Sequence, residues 1–365
     1  MRRFLSFVLS VICAASCGTN QDKGDETFVS SLSVADYVPV SVLKGQDHYP
    51  QSAKFSVIDI HSHAYAETKE QVQEWADKLI EHNISRVIVL TFAYGKEFDK
   101  LYDLYTGVSD KFEMWCGFDM SAFGTPDFSA KAIAELERCA GKGAKGVGEL
   151  TDKGMGAYSS MTLTTPGPHF DDALFIPIFS KCAELGLPVN IHVGDPIWMY
   201  QPIDEHNDGY PNSETWKIDL STPGILNLEQ LVKSFERTCD RNPGTQFIAC
   251  HLMNMSHDYE SLGAVLDRHP NLMLDVSARH LETCITPRAT GKFYEKYNDR
   301  IMFGTDNTPT DAMYRLQWRI LETQDEHFYD PDDRSYHWAL YGLGLNDDLL
   351  KKIYYSNAAR LLKMN

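Results

Sequence analysis

The 365-residue sequence predicts an α/β protein, specifically a distorted (β/α)8 barrel of the TIM type with long active-site loops and a C-terminal helix. Two observations predict this fold. Short apolar runs alternate with helical patterns along the chain, and metal-binding types of side chain fall at the ends of several of these runs. Because the strands of such a barrel end together on one face, residues far apart in the sequence would converge there.

Eight runs rich in β-branched and aromatic residues predict the strands, at 55–60, 85–91, 112–118, 144–149, 188–192, 245–250, 271–276 and 300–304. Helical patterns lie at 68–82, 96–108, 128–141, 171–185, 227–241, 257–268, 285–297, 310–324 and 347–362. No repeat or low-complexity segment interrupts the sequence after residue 53. Residues 53–365 are therefore predicted to form one domain.

Two connections are longer than usual. Residues 194–226 follow the fifth strand, so we expect them to form a lid or pocket wall on the active-site face. Trp198 and Tyr200 in this loop are candidates to contact an apolar or cyclic substrate, although they could simply pack the loop. Residues 325–345 follow a helix, and we expect them to pack below the barrel.

The N-terminus is typical of an export signal, with Arg2 and Arg3 before an apolar stretch and small residues ending at Cys17. The sequence Ala-Ala-Ser-Cys at 14–17 resembles the lipobox of bacterial lipoproteins, although Ala14 replaces the usual Leu. Residues 18–52 are polar and predict a tether. We therefore expect an exported, membrane-anchored lipoprotein, and the alternative is an ordinary cleaved secretion signal.

The formal net charge of -17 opposes nucleic acid and anionic membrane surfaces as partners, because both are bound through Lys and Arg. A small-molecule substrate is expected instead, with membrane contact only through the N-terminus and the oligomeric state left open. The cysteines after the signal form no CxxC pair and fall mostly in apolar patterns. They are predicted to be buried free thiols, namely Cys116, Cys139, Cys182, Cys239, Cys250 and Cys284.

Six potential metal ligands lie at the predicted strand ends. His61 and His63 form a His-x-His pair, and both imidazoles point to one face because side chains alternate along a strand. The others are Glu149, His192, His251 and Asp306, at strands four, five, six and eight. Each residue alone could be a buried hydrogen-bonding group or part of a turn. The set of six predicts a metal site.

Several segments carry a family resemblance, namely DIHSH at 59–63, His192, HL at 251–252, HPNLMLDVS at 269–277, FGTD at 303–306 and NAARLL at 357–362. Together they resemble the amidohydrolase superfamily, and specifically its amidohydrolase-related branch, from about residue 53 to the C-terminus. The resemblance implies a distorted barrel that binds one or two divalent ions. Zinc is the ion expected first, and manganese, iron or cobalt would suit the same ligands.

In the single-metal form that the resemblance implies, His61, His63, His192 and Asp306 bind the ion. Asp306 would also accept a proton from the metal-bound water, and His251 would polarise the substrate carbonyl or act as acid and base.

Glu149 supports a second interpretation, because GVGEL at 146–150 resembles the strand-four Glu of TatD-type two-metal barrels. In that form the ligands of one ion are His61, His63 and Asp306, those of the other are His192 and His251, and Glu149 binds both. The alternative is that Glu149 only hydrogen-bonds a ligand histidine. The sequence leaves both open.

Weaker candidates lie on the same face. Arg279 and His280 could bind a substrate carboxylate, and a surface ion pair explains Arg279 equally well. Asp195, Asn254 and His257 could orient ligands or cap helices.

The function implied by the resemblance is a metal-dependent hydrolase, in which metal-bound hydroxide attacks an amide, lactone or ester carbon of a small molecule. One alternative is a single-metal decarboxylase or hydratase, a lyase of the same branch. A TatD-like deoxyribonuclease fits Glu149 but not the acidic charge. A surface lipoprotein that binds a ligand without catalysis is the remaining alternative, although such a protein would be expected to lose ligands.

Overall fold

A computed structural model describes residues 32–45, 47–158, 166–330, 332 and 335–364. The chain divides into two compact units, residues 1–37 and 38–365. In the described part of the first unit, a 3-10 turn spans Val34–Asp36 and is capped by Ser33. The predicted export signal, Cys17 and the start of the predicted tether lie outside the described residues.

The second unit contains parallel strands that alternate with helices. The strands are β1 (Val57–Ser62), β2 (Ile84–Leu90), β3 (Phe112–Trp115), β4 (Val147–Asp152), β5 (Val189–Val193), β6 (Phe247–Ala249), β7 (Leu272–Asp275) and β8 (Ile301–Met302). They form two sheets, ordered β1-β2-β3 and β4-β5-β6-β7-β8. Every predicted strand is present, within a few residues of its predicted bounds.

Backbone hydrogen bonds join the two sheets at both seams. Between β3 and β4, Cys116 N donates to Gly146 O at 3.0 Å and Gly148 N donates to Cys116 O at 2.9 Å. Between β1 and β8, Ile60 N donates to Phe303 O at 3.0 Å. The strands therefore follow one another around a (β/α)8 barrel, which confirms the predicted fold class.

The helices of this unit lie at α1 (Lys69–Glu81), α2 (Gly95–Thr106), α3 (Phe128–Lys142), α4 (Ile176–Leu185), α5 (Tyr210–Trp216), α6 (Leu228–Arg241), α7 (Tyr259–Arg268), α8 (His280–Thr283), α9 (Pro287–Lys296), α10 (Asp311–Glu322), α11 (Asp347–Lys351) and α12 (Asn357–Leu361). Capping boxes begin α1 and α6. The short helices α5 and α8 were not predicted. In the described residues no helix combines the length and apolarity that a membrane span requires.

The barrel interior is apolar below the strand ends. Ile58, Ile60, Ile88, Trp115 and Met302 belong to one buried cluster, to which α12 also contributes. A second, larger cluster fills the space between strands and helices. The polar strand ends therefore lie above an apolar, buried floor, and burial of this kind strengthens electrostatic interactions.

Candidate metal centre

A bulge in β1 directs His61 into the barrel. Ile58 and Ile60 face the interior cluster, so strict alternation would turn His61 outward. The pairing of β1 with β2 shifts between Asp59 and Ser62, which inserts one extra residue at this point. His61 is consequently fully buried, and its ring centroid lies 5.3 Å from that of His63.

Hydrogen bonds at Nδ1 orient three of the histidines. His63 Nδ1 donates to Leu90 O at 2.9 Å, and His251 Nδ1 donates to Ser277 O at 2.9 Å. A carbonyl can only accept, so both rings carry a proton on Nδ1 and direct Nε2 at the carboxylates. His61 Nδ1 lies 3.1 Å from the Asp275 carboxylate, which favours the same tautomer. This arrangement is typical of metal-binding histidines.

Glu149 lies between two sets of histidines. Its Oε1 atom is 2.8 Å from His192 Nδ1 and 3.4 Å from His251 Nε2. Its Oε2 atom is 3.6 Å from His63 Nε2, and Oε1 is 4.0 Å from His61 Nε2. The two carboxylate oxygens therefore lie within 4.0 Å of four histidines from three strand ends, those of β1, β5 and β6.

Asp306 completes the cluster from β8. Its Oδ1 atom lies 3.0 Å from His63 Nε2 and 3.8 Å from His61 Nε2, and Oδ2 lies 3.7 Å from His251 Nε2. The backbone N–H of Asp306 donates to His61 O at 2.9 Å, which fixes the end of β8 against β1. The structure thus brings together all six predicted ligands.

The electrostatics of the cluster favour a cation. Burial alone would lower the pKa of His61, yet Asp275 and Asp306 raise it to about 10. Burial would raise the pKa of Glu149 and Asp306, but the histidines outweigh it and hold both pKa values below the ordinary range. Burial and His192 lower the pKa of His251, so its Nε2 lone pair is available at neutral pH. The site therefore combines ionised carboxylates with ring nitrogens directed at them.

The residues present fit a divalent metal. His61 Nε2 is buried and has no hydrogen-bond partner among the residues that the structure describes. Such a buried orphan is costly, and a cation would satisfy it. Three overlapping groups have donor atoms within 4.8 Å of one another: Glu149, His192, Cys250 and His251; His61, His251 and Asp306; and His61, His63 and Glu149.

A family model described as amidohydrolase matches residues 111–364, which is more than half of the chain. The chain belongs to the amidohydrolase family. The matched region includes Glu149, His192, His251 and Asp306, while His61 and His63 precede it. The family predicted from the sequence is confirmed. No curated protein matches the chain.

Solved structures with the same fold resemble this amidohydrolase over most of its length. An uncharacterised TIM-barrel protein from Bordetella bronchiseptica has 14% identity and a TM-score of 0.54, over 85% of this chain and 99% of that one. A 2,6-dihydroxybenzoate decarboxylase from Rhizobium has 17% identity and a TM-score of 0.52, over 85% and 99%. A dihydroxybenzoic acid decarboxylase from Polaromonas sp. JS666, with bound manganese and 2-nitroresorcinol, has 16% identity and a TM-score of 0.52, over 85% and 98%.

The cluster of six candidate ligands is open on one side. The side chains of His63 and Asp306 keep 19% and 21% of their exposure, whereas those of His61 and His251 keep 0% and 2%. Phe92 stacks on the His63 ring with centroids 4.9 Å apart. A substrate would therefore approach Asp306 and His63 first.

Two further residues, Asp275 and Cys250, contact the candidate ligands, and the sequence reasoning missed their roles. Asp275 ends β7 and accepts hydrogen bonds from His61 Nδ1, the backbone N–H of His251 and Ser277. Cys250 Sγ donates to Glu149 Oε1 at 3.2 Å. Asp275 lies at a strand end like the six candidate ligands, so its position, although not its contacts, could have been predicted from the sequence.

Asp195 contacts His192, as the weaker prediction allowed. Its Oδ1 atom lies 3.2 Å from His192 Nε2 and 3.1 Å from Lys153 Nζ. Tyr200 accepts a hydrogen bond from the Asp195 backbone at 3.0 Å and donates to Lys153 O. These bonds hold Tyr200 in the loop, while its predicted contact with substrate stays a prediction.

Arg279 and His280 are both buried, with 9% and 8% exposure. Arg279 Nε donates to Asn254 Oδ1 at 2.8 Å, and Nη1 lies 3.2 Å from Glu282 Oε1. The surface ion pair considered as an alternative is therefore a buried one. The proposed carboxylate-binding role of Arg279 and His280 stays a prediction.

The expectation that residues 325–345 pack below the barrel is wrong. Tyr336 donates at 2.8 Å to Oε1 of Glu282, which lies in α8, the short helix after β7. The Tyr336 ring lies 5.8 Å from that of Trp198. Trp338 stacks on Tyr336 with centroids 4.1 Å apart. Aromatic side chains of the two long loops bury one another, and this brings the second loop to the active-site side.

Proposed function

We propose that this chain is a metal-dependent hydrolase that uses two divalent ions to cleave an amide, lactone or ester bond of a small molecule. Zinc is the ion expected first. The observation that carries the proposal is the position of Glu149. One carboxylate oxygen faces His192 and His251, and the other faces His63. A carboxylate between two sets of histidines is the arrangement that a bridging ligand requires.

The donors divide into two sets around this carboxylate. His61, His63 and Asp306 would bind one ion, His192 and His251 would bind the other, and Glu149 would bind both. When bound, divalent ions supply Lewis acidity and lower the pKa of a coordinated water toward neutrality.

The chain's own residues would handle the proton and the substrate. Asp306 lies on the open side, so its carboxylate can accept a proton and pass it to the leaving group. In the single-metal arrangement, His251 would instead act as acid and base. Its Nδ1 bond to Ser277 O fixes the ring and leaves Nε2 facing Asp306. The apolar floor below the cluster keeps water from reaching the reacting atoms from that side.

A second candidate function is a decarboxylase. It is favoured by the fold relatives, which include a 2,6-dihydroxybenzoate decarboxylase and a manganese-bound dihydroxybenzoic acid decarboxylase. In this form His61, His63, His192 and Asp306 would bind a single ion, and Glu149 would hold His192 through its 2.8 Å contact. The substrate would then be an aromatic carboxylate rather than an ester or amide.

Asp306→Asn tests the catalytic proposal, because it keeps the size of the side chain and removes the proton acceptor. Zinc- and manganese-loaded protein would be assayed with p-nitrophenyl acetate, small lactones and N-acetyl amino acids, and in parallel with 2,6-dihydroxybenzoate. We expect hydrolysis by the wild type and a loss of roughly 10²–10⁴-fold in kcat for the variant. Asp311→Asn is the control, because Asp311 is an exposed carboxylate that contacts His82 instead of the metal cluster.

Two other outcomes of this experiment would contradict the proposal. Release of carbon dioxide from 2,6-dihydroxybenzoate without hydrolysis would replace the hydrolase with the decarboxylase. Hydrolysis that is equal in the wild type and in Asp306→Asn would remove Asp306 from the mechanism.

A further inference from the structure

Cys250 is the one thiol in the described residues that belongs to the ligand cluster. It is fully buried and immediately precedes His251. Ile248 belongs to the interior cluster, so alternation along β6 directs Cys250, two residues later, to the same face. Its Sγ atom reaches Glu149 Oε1 at 3.2 Å. The thiol therefore points at the carboxylate proposed to bridge the ions.

The spacing of four donors suits a tetrahedral ion. The donor atoms of Glu149, His192, Cys250 and His251 all lie within 4.8 Å of one another. Zinc binds nitrogen at about 2.0–2.1 Å and thiolate at about 2.3 Å, so its donors lie roughly 3–4 Å apart. Glu149 Oε1 lies 2.8, 3.2 and 3.4 Å from the donor atoms of His192, Cys250 and His251.

We infer that Cys250 is a ligand of the second ion, an inference that rests on the proposed two-metal function. The second position then has one carboxylate, two imidazoles and one thiolate, whereas the first has only nitrogen and oxygen donors. Thiolate selects zinc over manganese or magnesium. The two positions therefore differ in metal preference, and the second is the zinc position.

Ligation changes the hydrogen bond that the structure shows. In the structure the thiol donates a hydrogen bond to Glu149 Oε1. On binding, the S–H bond breaks, a sulfur–metal bond forms and one proton leaves to solvent. Glu149 Oε1 loses the donated hydrogen bond and becomes free to contact the ion.

Cobalt(II) substitution tests the inference without reference to activity, because a thiolate ligand gives Co(II) an intense near-ultraviolet charge-transfer band. The full chain would be stripped of metal and titrated with cobalt, and bound ions would be counted by elemental analysis. We expect the band in the wild type and its loss in Cys250→Ala and in the volume-conserving Cys250→Ser. Cys182→Ala is the matched control, since Cys182 is equally buried within α4.

Zinc affinity gives a second readout. The wild type should bind zinc at the second position at least about 10-fold more tightly than Cys250→Ser does, with Cys182→Ala equal to the wild type. Two bound cobalt ions with no charge-transfer band in the wild type would overturn the Cys250 assignment and leave the proposed function standing. Absence of bound metal would overturn both. The wild-type spectrum alone shows whether a thiolate binds cobalt, so the absence of the band would overturn the assignment even if a variant misfolds.

Discussion

Asp275 acts on the metal centre through hydrogen bonds. It lies 3.1 Å from His61 Nδ1 and accepts the backbone N–H of His251 at 3.0 Å. The first contact holds a proton on His61 Nδ1, so Nε2 faces Glu149 and Asp306. Asn190 near the start of β5 also donates to Asp275 at 3.2 Å, so the carboxylate links β7 to β1, to β5 and to the residue after Cys250. Residues that orient ligands in this way set metal affinity nearly as strongly as the ligands do.

We predict that Asp275→Asn weakens metal binding about 10–100-fold while all proposed ligands remain. An amide can offer its NH2 group to His61 Nδ1, which removes the preference for the Nδ1 tautomer. Competition with a chelator would measure the affinity. Asp267→Asn, at an exposed carboxylate on α7, should bind like the wild type. Equal affinity in Asp275→Asn would show that His61 needs no orienting group.

That the six candidate ligands come together could be predicted one by one from their positions at strand ends. Their partners could not, because the contacts of Asp275 and Cys250 depend on which strands pair and in what register. The role of Glu149 could not be predicted from the sequence either. The sequence left it open whether this residue bridges two ions or only supports His192, and its central position became visible only with β4 and β5 side by side.

Close approach of β1 and β8 is the element-scale feature on which the site depends. Gly304 lies between them, and a Cβ atom added there would be 2.9 Å from His61 Cβ and 3.1 Å from Ser277 Cβ. Glycine at this position therefore lets His61 and Asp306 reach the same cluster. The bulge in β1 has the same effect from the other side, because it turns His61 inward.

We predict that Gly304→Ala costs about 1–3 kcal/mol in the free energy of unfolding and also weakens metal binding, because the added methyl overpacks the contact with His61. Urea unfolding and chelator competition would measure the two effects. Gly291→Ala is the control, since Gly291 lies in α9 with no neighbour within 4 Å of an added Cβ. The control should be neutral or slightly stabilising. A Gly304→Ala protein with wild-type stability and affinity would contradict this account of the FGTD segment.

Elements of regular structure could be predicted closely, since their periodicity is local. The β1 bulge and the position of residues 325–345 could not. The bulge depends on the pairing of β1 with β2, and the loop is placed by contacts of Tyr336 and Trp338 with Trp198. Both are long-range interactions that leave no periodic signal in the sequence.

The barrel as a whole explains why six separated residues form one site. Parallel strands bring their carboxyl ends to one face, and an apolar interior below them leaves the polar ends in a dry, strongly electrostatic environment. The fold followed from the order of strands and helices, and the family from the resemblance of segments such as DIHSH at 59–63 and FGTD at 303–306. Export and lipidation of Cys17 stay predictions, because they concern recognition by other cellular components rather than packing of this chain. The tether at 18–52 also stays a prediction, and near its end the backbone N–H of His48 donates to Asp325 at 2.8 Å.

The central claim is that Glu149 bridges two ions, and the most direct measurement is the metal content per chain. Elemental analysis would compare the wild type with Glu149→Ala and with Glu113→Ala, a control at a largely buried carboxylate that instead contacts Arg86. The two-metal account predicts two ions in the wild type and in Glu113→Ala, and one or fewer in Glu149→Ala. A single ion in all three proteins would contradict it and would favour the single-metal decarboxylase.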